Sequence, residues 1–263
     1  KLENKIEFAK FVDTLDFFKQ PEYEIFEKLT DVDFKTANTK FGNNFVIQFI
    51  FGHSGNSTFF IESETQLHEL KLKYPKRKTK VSKKIDGIPY TVNACITKVG
   101  IIVGGISEQI TGIKELTSSK GGTIGNDYSQ RHLNEDIRKN IVEKTIKIGE
   151  KFQELGHRGI FGLDFIVEKN TGELFLIEAN IRQTASSGYT SYLQRMNSQV
   201  PIMLWHILEL LDFNFSERFL SLDETVEDVI NEGIQEFIKS EDKVTWNIAK
   251  NQPIKASQVF FRN

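Results

Sequence analysis

Two apolar segments decide the fold of this chain: residues 159–167 read GIFGLDFIV, and residues 174–182 read LFLIEANIR. The six residues between them, EKNTGE, contain the Asn and Gly that suit a tight turn. This pattern predicts a β-hairpin. The polar side chains that interrupt the two runs are therefore expected on the faces of two paired strands.

Acceptor side chains interrupt both runs. Asp164 lies in the first, and Glu178 and Asn180 lie two residues apart in the second. Residues two apart on a strand point to one face, and pairing across the turn brings Asp164 beside them. Two carboxylates and an amide oxygen suit Mg²⁺, with Mn²⁺ as the alternative cation, and Arg182 adds positive charge on the same face. A solvated polar face is the plain alternative, but an unpaired carboxylate in an apolar run is costly, which favours a functional set.

The hairpin resembles the metal-binding hairpin of the ATP-grasp superfamily. The matching segments are GIFGLDF (159–165), IEANIR (177–182) and NIRQTASS (180–187). The last is most similar to the branch of the carbamoyl-phosphate synthase large subunit and biotin carboxylase. The resemblance implies an α+β fold of two lobes with MgATP between them. It also implies that the three acceptor side chains hold Mg²⁺ on the ATP phosphates, and that Arg182 is catalytic and steadies an acyl-phosphate or its carboxylate precursor.

A second signal lies in residues 45–61. FVIQFI (45–50) and FFI (59–61) predict strands around a glycine-rich turn, GHSGNST (52–58). Backbone N–H groups and small hydroxyls of such a turn can fold over phosphates, although no Walker-type Gly-Lys-Ser/Thr follows. A glycine-rich turn followed by an acidic hairpin is the order found in the resembled family. The turn residues expected to bind the nucleotide are Gly52, His53, Ser54 and Gly55.

Two further residues are candidates for the phosphates. Residues 4–19 have apolar side chains at helical spacing, and Asn4 is a fair N-cap, so they predict a helix. The resembled family uses a basic residue near the start of such a helix, and Lys5 matches it; a solvated surface lysine is the alternative. Gln48 stands where the family pattern has Lys or Arg, and it can donate a hydrogen bond but brings no charge.

The hinge between the two lobes is expected at VSKKIDG (81–87). The resemblance implies that Lys84 and Ile85 meet the adenine edge. Lys83 stands where an acidic residue often serves the ribose, and Asn93 where some relatives have an acid. The glycine-rich segment 121–128 predicts a loop near the site, with a plain surface connection as the alternative.

The expected domain organisation is a small lobe over residues 1–82, with the glycine-rich loop 52–58, and a large lobe over residues 83–263. Relatives usually carry another N-terminal domain, which is expected to be absent from this chain. Helices are predicted over 134–155, 192–211 (with a break near Pro201) and 222–238, and a short strand over 258–261. The second helix is expected to offer to a core Leu204, Trp205, Ile207, Leu208 and Leu211.

Composition limits the class of protein. The chain has 263 residues, enough for one large domain or two small ones, and its net charge of −2 gives no overall attraction to nucleic acid or membrane. Cys95 is the only cysteine, so no internal disulfide forms and a cytoplasmic location is expected. No apolar run approaches the roughly 20 residues of a membrane span, so no membrane partner is expected.

The resemblance implies an ATP-dependent ligase that activates a carboxylate, expected to belong to an amino acid, as an acyl-phosphate for attack by an amine, thiol or other nucleophile. The expected partners are this small carboxylate and a nucleophilic acceptor, either an amino acid or a carrier protein. Two alternatives stay open. Gln48, Lys83 and Asn93 favour a regulatory ATP-binding module with impaired catalysis. The basic segment 71–84 would serve a nucleic-acid-associated protein, which is the less favoured reading.

Overall fold

The computed structural model describes residues 2–50, 57–117, 120–129 and 132–213, and the backbone of residues 257–259. Its helices are α1 (Lys5–Asp13), α2 (Phe34–Phe41), α3 (Glu64–Lys73), α4 (Glu135–Glu154), α5 (Ser187–Met196) and α6 (Ile202–Leu210), with one 3-10 turn at Leu29–Asp31. Its strands are β1 (Tyr23–Phe26), β2 (Phe45–Phe49), β3 (Thr58–Ile61), β4 (Thr79–Lys83), β5 (Gly87–Thr97), β6 (Gly100–Thr111), β7 (Thr123–Asp127), β8 (Gly159–Glu168), β9 (Leu174–Asn180) and β10 (Ser257–Val259).

The strands form two antiparallel sheets. The four-stranded sheet has the order β1-β4-β2-β3, and the six-stranded sheet has the order β10-β7-β6-β5-β8-β9. Helices cover faces of both sheets, which confirms the predicted α+β class. None of the described helices is both long and apolar enough to cross a membrane.

One face of the four-stranded sheet packs on a hydrophobic core. Phe45, Ile47 and Phe49 of β2 point to that core, where they meet apolar side chains of α2 and α3. Because side chains alternate along a strand, Gln48 points to the opposite face. Gln48 is nevertheless buried, so this second face is also covered. The side chains by which the four-stranded sheet takes part in the candidate site lie on this second face.

The six-stranded sheet is packed on both faces. On one face, Ile141 and Phe152 of α4 and Phe8 of α1 join the largest core cluster. On the other face, Trp205 of α6 packs with Cys95 of β5. Helix α1 therefore belongs by packing to the six-stranded sheet, although it precedes the small sheet in sequence. The division of the chain at residues 82 and 83 stays a prediction.

Strands β8 and β9 form the predicted hairpin. Asp164 is paired directly with Glu178, and Gly162 with Asn180. The register shifts by one residue just after Asp164, so a β-bulge lies next to the acidic pair. The turn closes with Gly172 at a φ of 71°, which glycine adopts without strain.

The first helix is shorter than its apolar pattern predicted. Asn4 caps it as expected, since its side chain accepts two backbone N–H groups of the first turn. The helix predicted over 4–19 ends at Asp13, and the Thr14 hydroxyl donates to a carbonyl three residues back at 2.6 Å. A side chain that bonds to the local backbone competes with helix continuation. Leu15 is still buried, so the helical spacing there reflects burial in a turn.

The helix predicted over 192–211 is two helices, α5 and α6, separated at residues 197–201 near the expected break. Trp205 is buried as predicted. Three other predicted core side chains are exposed: Leu204 (43%), Ile207 (48%) and Leu211 (72%). The prediction was wrong for them because α6 meets the sheet along one face only.

Segment 121–128 is largely a strand, because residues 123–127 pair with β6 as β7. The loop prediction was therefore wrong for most of it. Residues 257–259 form strand β10 beside β7, which agrees with the predicted short strand at its overlap. The predicted helix over 222–238 and residues 260–261 lie outside the described residues.

Candidate active site

A cavity of about 350 Å³ lies between the β8–β9 hairpin and the face of the four-stranded sheet that carries Gln48. Eight of the residues predicted for the site line it: Lys5, Gln48, Lys84, Ile85, Asp164, Glu178, Asn180 and Arg182. These residues come from α1, β2, the β4–β5 connection and the hairpin, so the fold brings together side chains that are far apart in sequence.

The hairpin places its polar side chains next to each other. Besides the direct pairing of Asp164 with Glu178, Asn180 Nδ2 lies 3.5 Å from Asp164 Oδ2. Arg182 donates to Asn180 Oδ1 at 3.1 Å. The predicted grouping of two carboxylates, an amide and a guanidinium is thus present. Their roles toward a metal and a phosphate stay predictions.

Two donors hold one carboxylate oxygen of Asp164. Its Oδ1 accepts from the Thr91 hydroxyl at 2.7 Å and from Gln109 Nε2 at 2.8 Å. Burial, and to a smaller extent the charge of Glu178, raise the pKa of Asp164 to about 7 against the opposing effect of the Thr91 hydrogen bond. A divalent cation at this carboxylate would favour its charged form.

Gln109 is a site residue that the sequence analysis missed. It lines the cavity and contacts both Thr91 and Asp164. The sequence offered only a polar residue in a strand-like segment, SEQI (107–110), and polar residues are common on any half-exposed strand. Only the pairing of β6 and β8 with β5 brings Gln109 to the hairpin acids.

Lys5 is buried at the start of α1, with 7% of its side chain exposed. Its ammonium forms an ion pair with Glu178. The alternative of a solvated surface lysine is therefore wrong. Lys5 connects α1 directly to the acidic hairpin, where it could serve an anionic ligand.

The opposite wall of the cavity comes from the small sheet and the connection that follows it. Gln48 Nε2 lies 3.4 Å from the hydroxyl of Thr58, its cross-strand neighbour. Phe60 and Ile85 add apolar surface, and Lys84 Nζ lies 5.7 Å from the centre of the Phe60 ring. This wall combines apolar surface with a nearby cation.

Two predicted residues are not at the cavity. Lys83 is exposed at the end of β4, and its backbone N–H donates to the carbonyl of Glu22 at 2.9 Å. Asn93 is buried beneath the site, where it donates to Ser186 at 3.0 Å and Thr190 at 3.1 Å. Asn93 therefore anchors the segment after Arg182 and does not face a ligand.

The glycine-rich turn residues Gly52, His53, Ser54 and Gly55 lie outside the described residues. Segment 121–128, by contrast, does reach the site, because Gly121 and Thr123 line the cavity. Lys120 also lines it and forms an ion pair of 2.6 Å with Glu62. This cation comes from a part of the chain that the sequence analysis did not single out.

The donor set of the hairpin is one of hard oxygens. Among the described residues, no group of three or more His, Cys, Asp or Glu side chains is placed to hold a metal ion. The hairpin instead lines the cavity with two carboxylates and one amide, in which Glu178 is paired with Lys5 and the amide oxygen of Asn180 accepts from Arg182. Such a set fits Mg²⁺, which binds through one or two carboxylates and completes its shell with phosphate and water.

No protein-family model matches the chain, and no curated protein matches its sequence. Solved structures do match. An N5-carboxyaminoimidazole ribonucleotide synthetase, purK, in its ADP complex superposes with a TM-score of 0.64 at 14% identity, over 81% of this chain and 52% of that one. D-alanyl-alanine synthetase A from Vibrio cholerae gives 0.61 at 15% identity, over 81% and 64%. L-amino acid ligase from Bacillus licheniformis gives 0.58 at 18% identity, over 82% and 50%.

The chain thus spans about half the length of purK and of the L-amino acid ligase, and about two thirds of the D-alanyl-alanine synthetase. The similarity to carbamoyl-phosphate synthase and biotin carboxylase in particular stays a prediction. At these identities a structural match establishes the fold alone. The chain has the ATP-grasp fold, as its acidic hairpin predicted.

Proposed function

We propose that this chain is the ATP-binding part of a ligase that activates a carboxylate as an acyl-phosphate and transfers the acyl group to a nucleophile. The observation that carries the proposal is the convergence of Asp164, Glu178, Asn180, Arg182 and Lys5 on one cavity between the two sheets. Two carboxylates without a cation would repel a nucleotide. Flanked by cations and an amide oxygen, they suit a magnesium nucleotide.

Each wall of the cavity would bind a different part of the nucleotide. The apolar surface of Phe60 and Ile85 would receive the adenine, beside the backbone of the β4–β5 connection. Lys5 and Gln48 would hold the phosphates. Mg²⁺, held by the hairpin oxygens, would neutralise part of the phosphate charge. The ADP complex of the purK neighbour supports a nucleotide in a protein of this fold.

The proposed reaction has two steps. A carboxylate oxygen attacks the γ-phosphorus of ATP, the bond to ADP breaks, and an acyl-phosphate forms. The nucleophile then attacks the acyl carbon, phosphate leaves, and the nucleophile loses its proton. Arg182, which is half-exposed at the mouth of the cavity, would stabilise charge on the transferred phosphoryl group. The chain's contribution is therefore positioning and charge neutralisation.

An amino acid is the proposed carboxylate, with an amine as the nucleophile. Two of the structural neighbours are by name a D-alanyl-alanine synthetase and an L-amino acid ligase, which supports this choice. A reaction that consumes ATP also supports the cytoplasmic location expected from the single cysteine. The basic segment 71–84 gives nucleic acid little support, since Lys80 is buried and Lys84 lines the cavity.

The test is calorimetric titration of ATP with and without Mg²⁺, followed by phosphate release with a pool of amino acids. We expect magnesium-dependent binding in the wild type and its loss in Glu178→Gln. The matched control is Glu143→Gln, which removes an exposed carboxylate from α4. Failure of the wild type to bind ATP would overturn the proposal, and unchanged turnover in Glu178→Gln would overturn the metal assignment.

A further inference from the structure

Strand β4 carries a buried lysine next to the cavity-lining residue Gln48. Lys80 is 5% exposed and is paired directly with Gln48 of β2. On either side of it in sequence, Thr79 and Val81 point to the opposite face, where Val81 joins the core of the small sheet. Lys80 and Gln48 therefore share the face that Thr58 and Gln48 present to the cavity.

The ammonium of Lys80 has no ionic partner in the described part of the chain. This ammonium lies 5.7 Å from the ring centre of Tyr23, and the Tyr23 hydroxyl is itself bonded to Asp13. Its charged surroundings are Lys5, Glu178 and Asp13, and Glu178 already pairs with Lys5. An unpaired buried ammonium is costly, so an anion that arrives from the cavity would be its natural partner.

The position of Lys80 also matters because the neighbouring residue on β2 brings no positive charge to the site. Gln48 can donate a hydrogen bond to a phosphate but carries no charge. Neighbouring strands lie about 4.8 Å apart, and the lysine stem is long and flexible enough to reach across that spacing. A positive charge on β4 would thus act on nearly the same point as one on β2.

We propose that Lys80 supplies to the nucleotide phosphates the positive charge that Gln48 lacks. The inference rests on the proposed function, because it takes the cavity to hold a polyphosphate. In this role, Lys80 contributes to the affinity for polyphosphates and not to the affinity for adenosine. A lysine that only packs on Tyr23 would instead affect all ligands alike.

The experiment compares affinities for ATP, adenosine and inorganic tripolyphosphate in the wild type, Lys80→Met and the double variant Gln48→Lys/Lys80→Met. Lys78→Met is the matched control, because it removes a partly exposed lysine that pairs with Glu27 outside the cavity. In Lys80→Met we expect ATP and tripolyphosphate to bind about tenfold more weakly or worse, with adenosine unchanged. The double variant, with its charge moved to β2, is expected to recover most of that loss.

Each failure has a distinct meaning. Unchanged affinity for both polyphosphates in Lys80→Met would overturn the inference and leave the proposed function standing. An equal loss for adenosine would overturn it too, as would a double variant no better than Lys80→Met. Wild type that binds tripolyphosphate but not ATP would overturn the proposed function, and the same variants would still decide the role of Lys80. Wild type that binds neither would overturn both. If Lys80→Met does not fold, Lys80→Gln is measured in its place.

Discussion

Replacement of Lys80 by methionine is expected to stabilise the unliganded protein at neutral pH. Burial lowers the pKa of Lys80 from 10.5 to about 8, and repulsion from Lys5 adds to this effect, against attraction from Glu178 and Asp13. The folded state therefore disfavours the ammonium that the unfolded chain carries freely. Methionine fills a similar volume without a charge.

The size of the effect follows from the two pKa values. Each tenfold change in the acid dissociation constant is worth about 1.4 kcal/mol, so the fall from 10.5 to about 8 corresponds to about 3 kcal/mol of folding free energy. Below pH 8 both states carry the proton, and the folded wild type bears this full cost. Between pH 8 and 10.5 the unfolded state binds more protons, so wild-type stability rises with pH.

The assay is urea unfolding of wild type, Lys80→Met and the control Lys78→Met near pH 7, 8.5 and 10, read as midpoints at constant m-value. The advantage of Lys80→Met should be largest near pH 7 and fall to about 1 kcal/mol near pH 10, while Lys78→Met should stay within about 0.5 kcal/mol of wild type. With saturating MgATP present, tenfold tighter binding should return about 1.4 kcal/mol of the difference to the wild type, because ligand binding stabilises only the state that binds it. A Lys80→Met variant less stable than wild type at neutral pH, or an advantage independent of pH, would refute the reasoning.

Two further predictions concern Cys95 and Gly159, which are not among the residues that line the cavity. Burial raises the pKa of the Cys95 thiol to about 12, with a smaller effect from Glu209, so an aromatic disulfide reagent near pH 8 should react with it only in denaturant; rapid reaction in the folded protein would contradict this. Gly159 has a φ of +83°, and a Cβ there would lie 2.3 Å from Nδ1 of His206, so Gly159→Ala should cost about 2 kcal/mol in urea unfolding. The control is Gly188→Ala in α5, where an added Cβ meets no atom within 4 Å, and this variant should be about 0.5 kcal/mol more stable than wild type. Equal effects of the two substitutions would contradict the steric argument.

The hairpin could be predicted because its information is local. Two apolar runs and a short turn with Asn170 and Gly172 specify paired strands, and the period of two specifies which polar side chains share a face. The structure pairs Asp164 with Glu178 as that period requires. The N-cap of α1 was predictable for the same reason, since Asn4 acts on the backbone next to it.

The rest could not be predicted, because it depends on contacts between distant strands. Lys80 belonged in sequence to a run of basic residues, which is the usual mark of a solvated segment. Its pairing with Gln48 instead places it on a covered face of the sheet. Gln109 reaches Asp164 only across two strand pairings, and Leu204 is exposed only because α6 has no neighbour on that side among the described residues.

Lys5 and Glu178 offer a contrast with Lys80, because each charge of this pair is neutralised by the other within the protein. Removal of one partner leaves a partly buried charge without compensation, so Lys5→Met and Glu178→Gln should each destabilise the unliganded protein, by about 3 kcal/mol where burial is deepest. The double variant should cost clearly less than the sum of the two, because it removes both charges. Urea unfolding of the four proteins of this cycle gives the coupling energy.

That coupling bears on how the cavity takes its ligand. A magnesium nucleotide brings a cation for Glu178 and phosphates for Lys5, so it can replace the internal pair without leaving either charge buried alone. Lys80 has no such internal partner among the described residues, and only the phosphates would relieve it. Lys80→Met should therefore be the variant that gains stability without ligand and loses affinity with it, whereas Lys5→Met should lose both. Additive effects in the Lys5 and Glu178 cycle would show that the ion pair carries no energy, and its replacement by a magnesium nucleotide would then have no energetic basis.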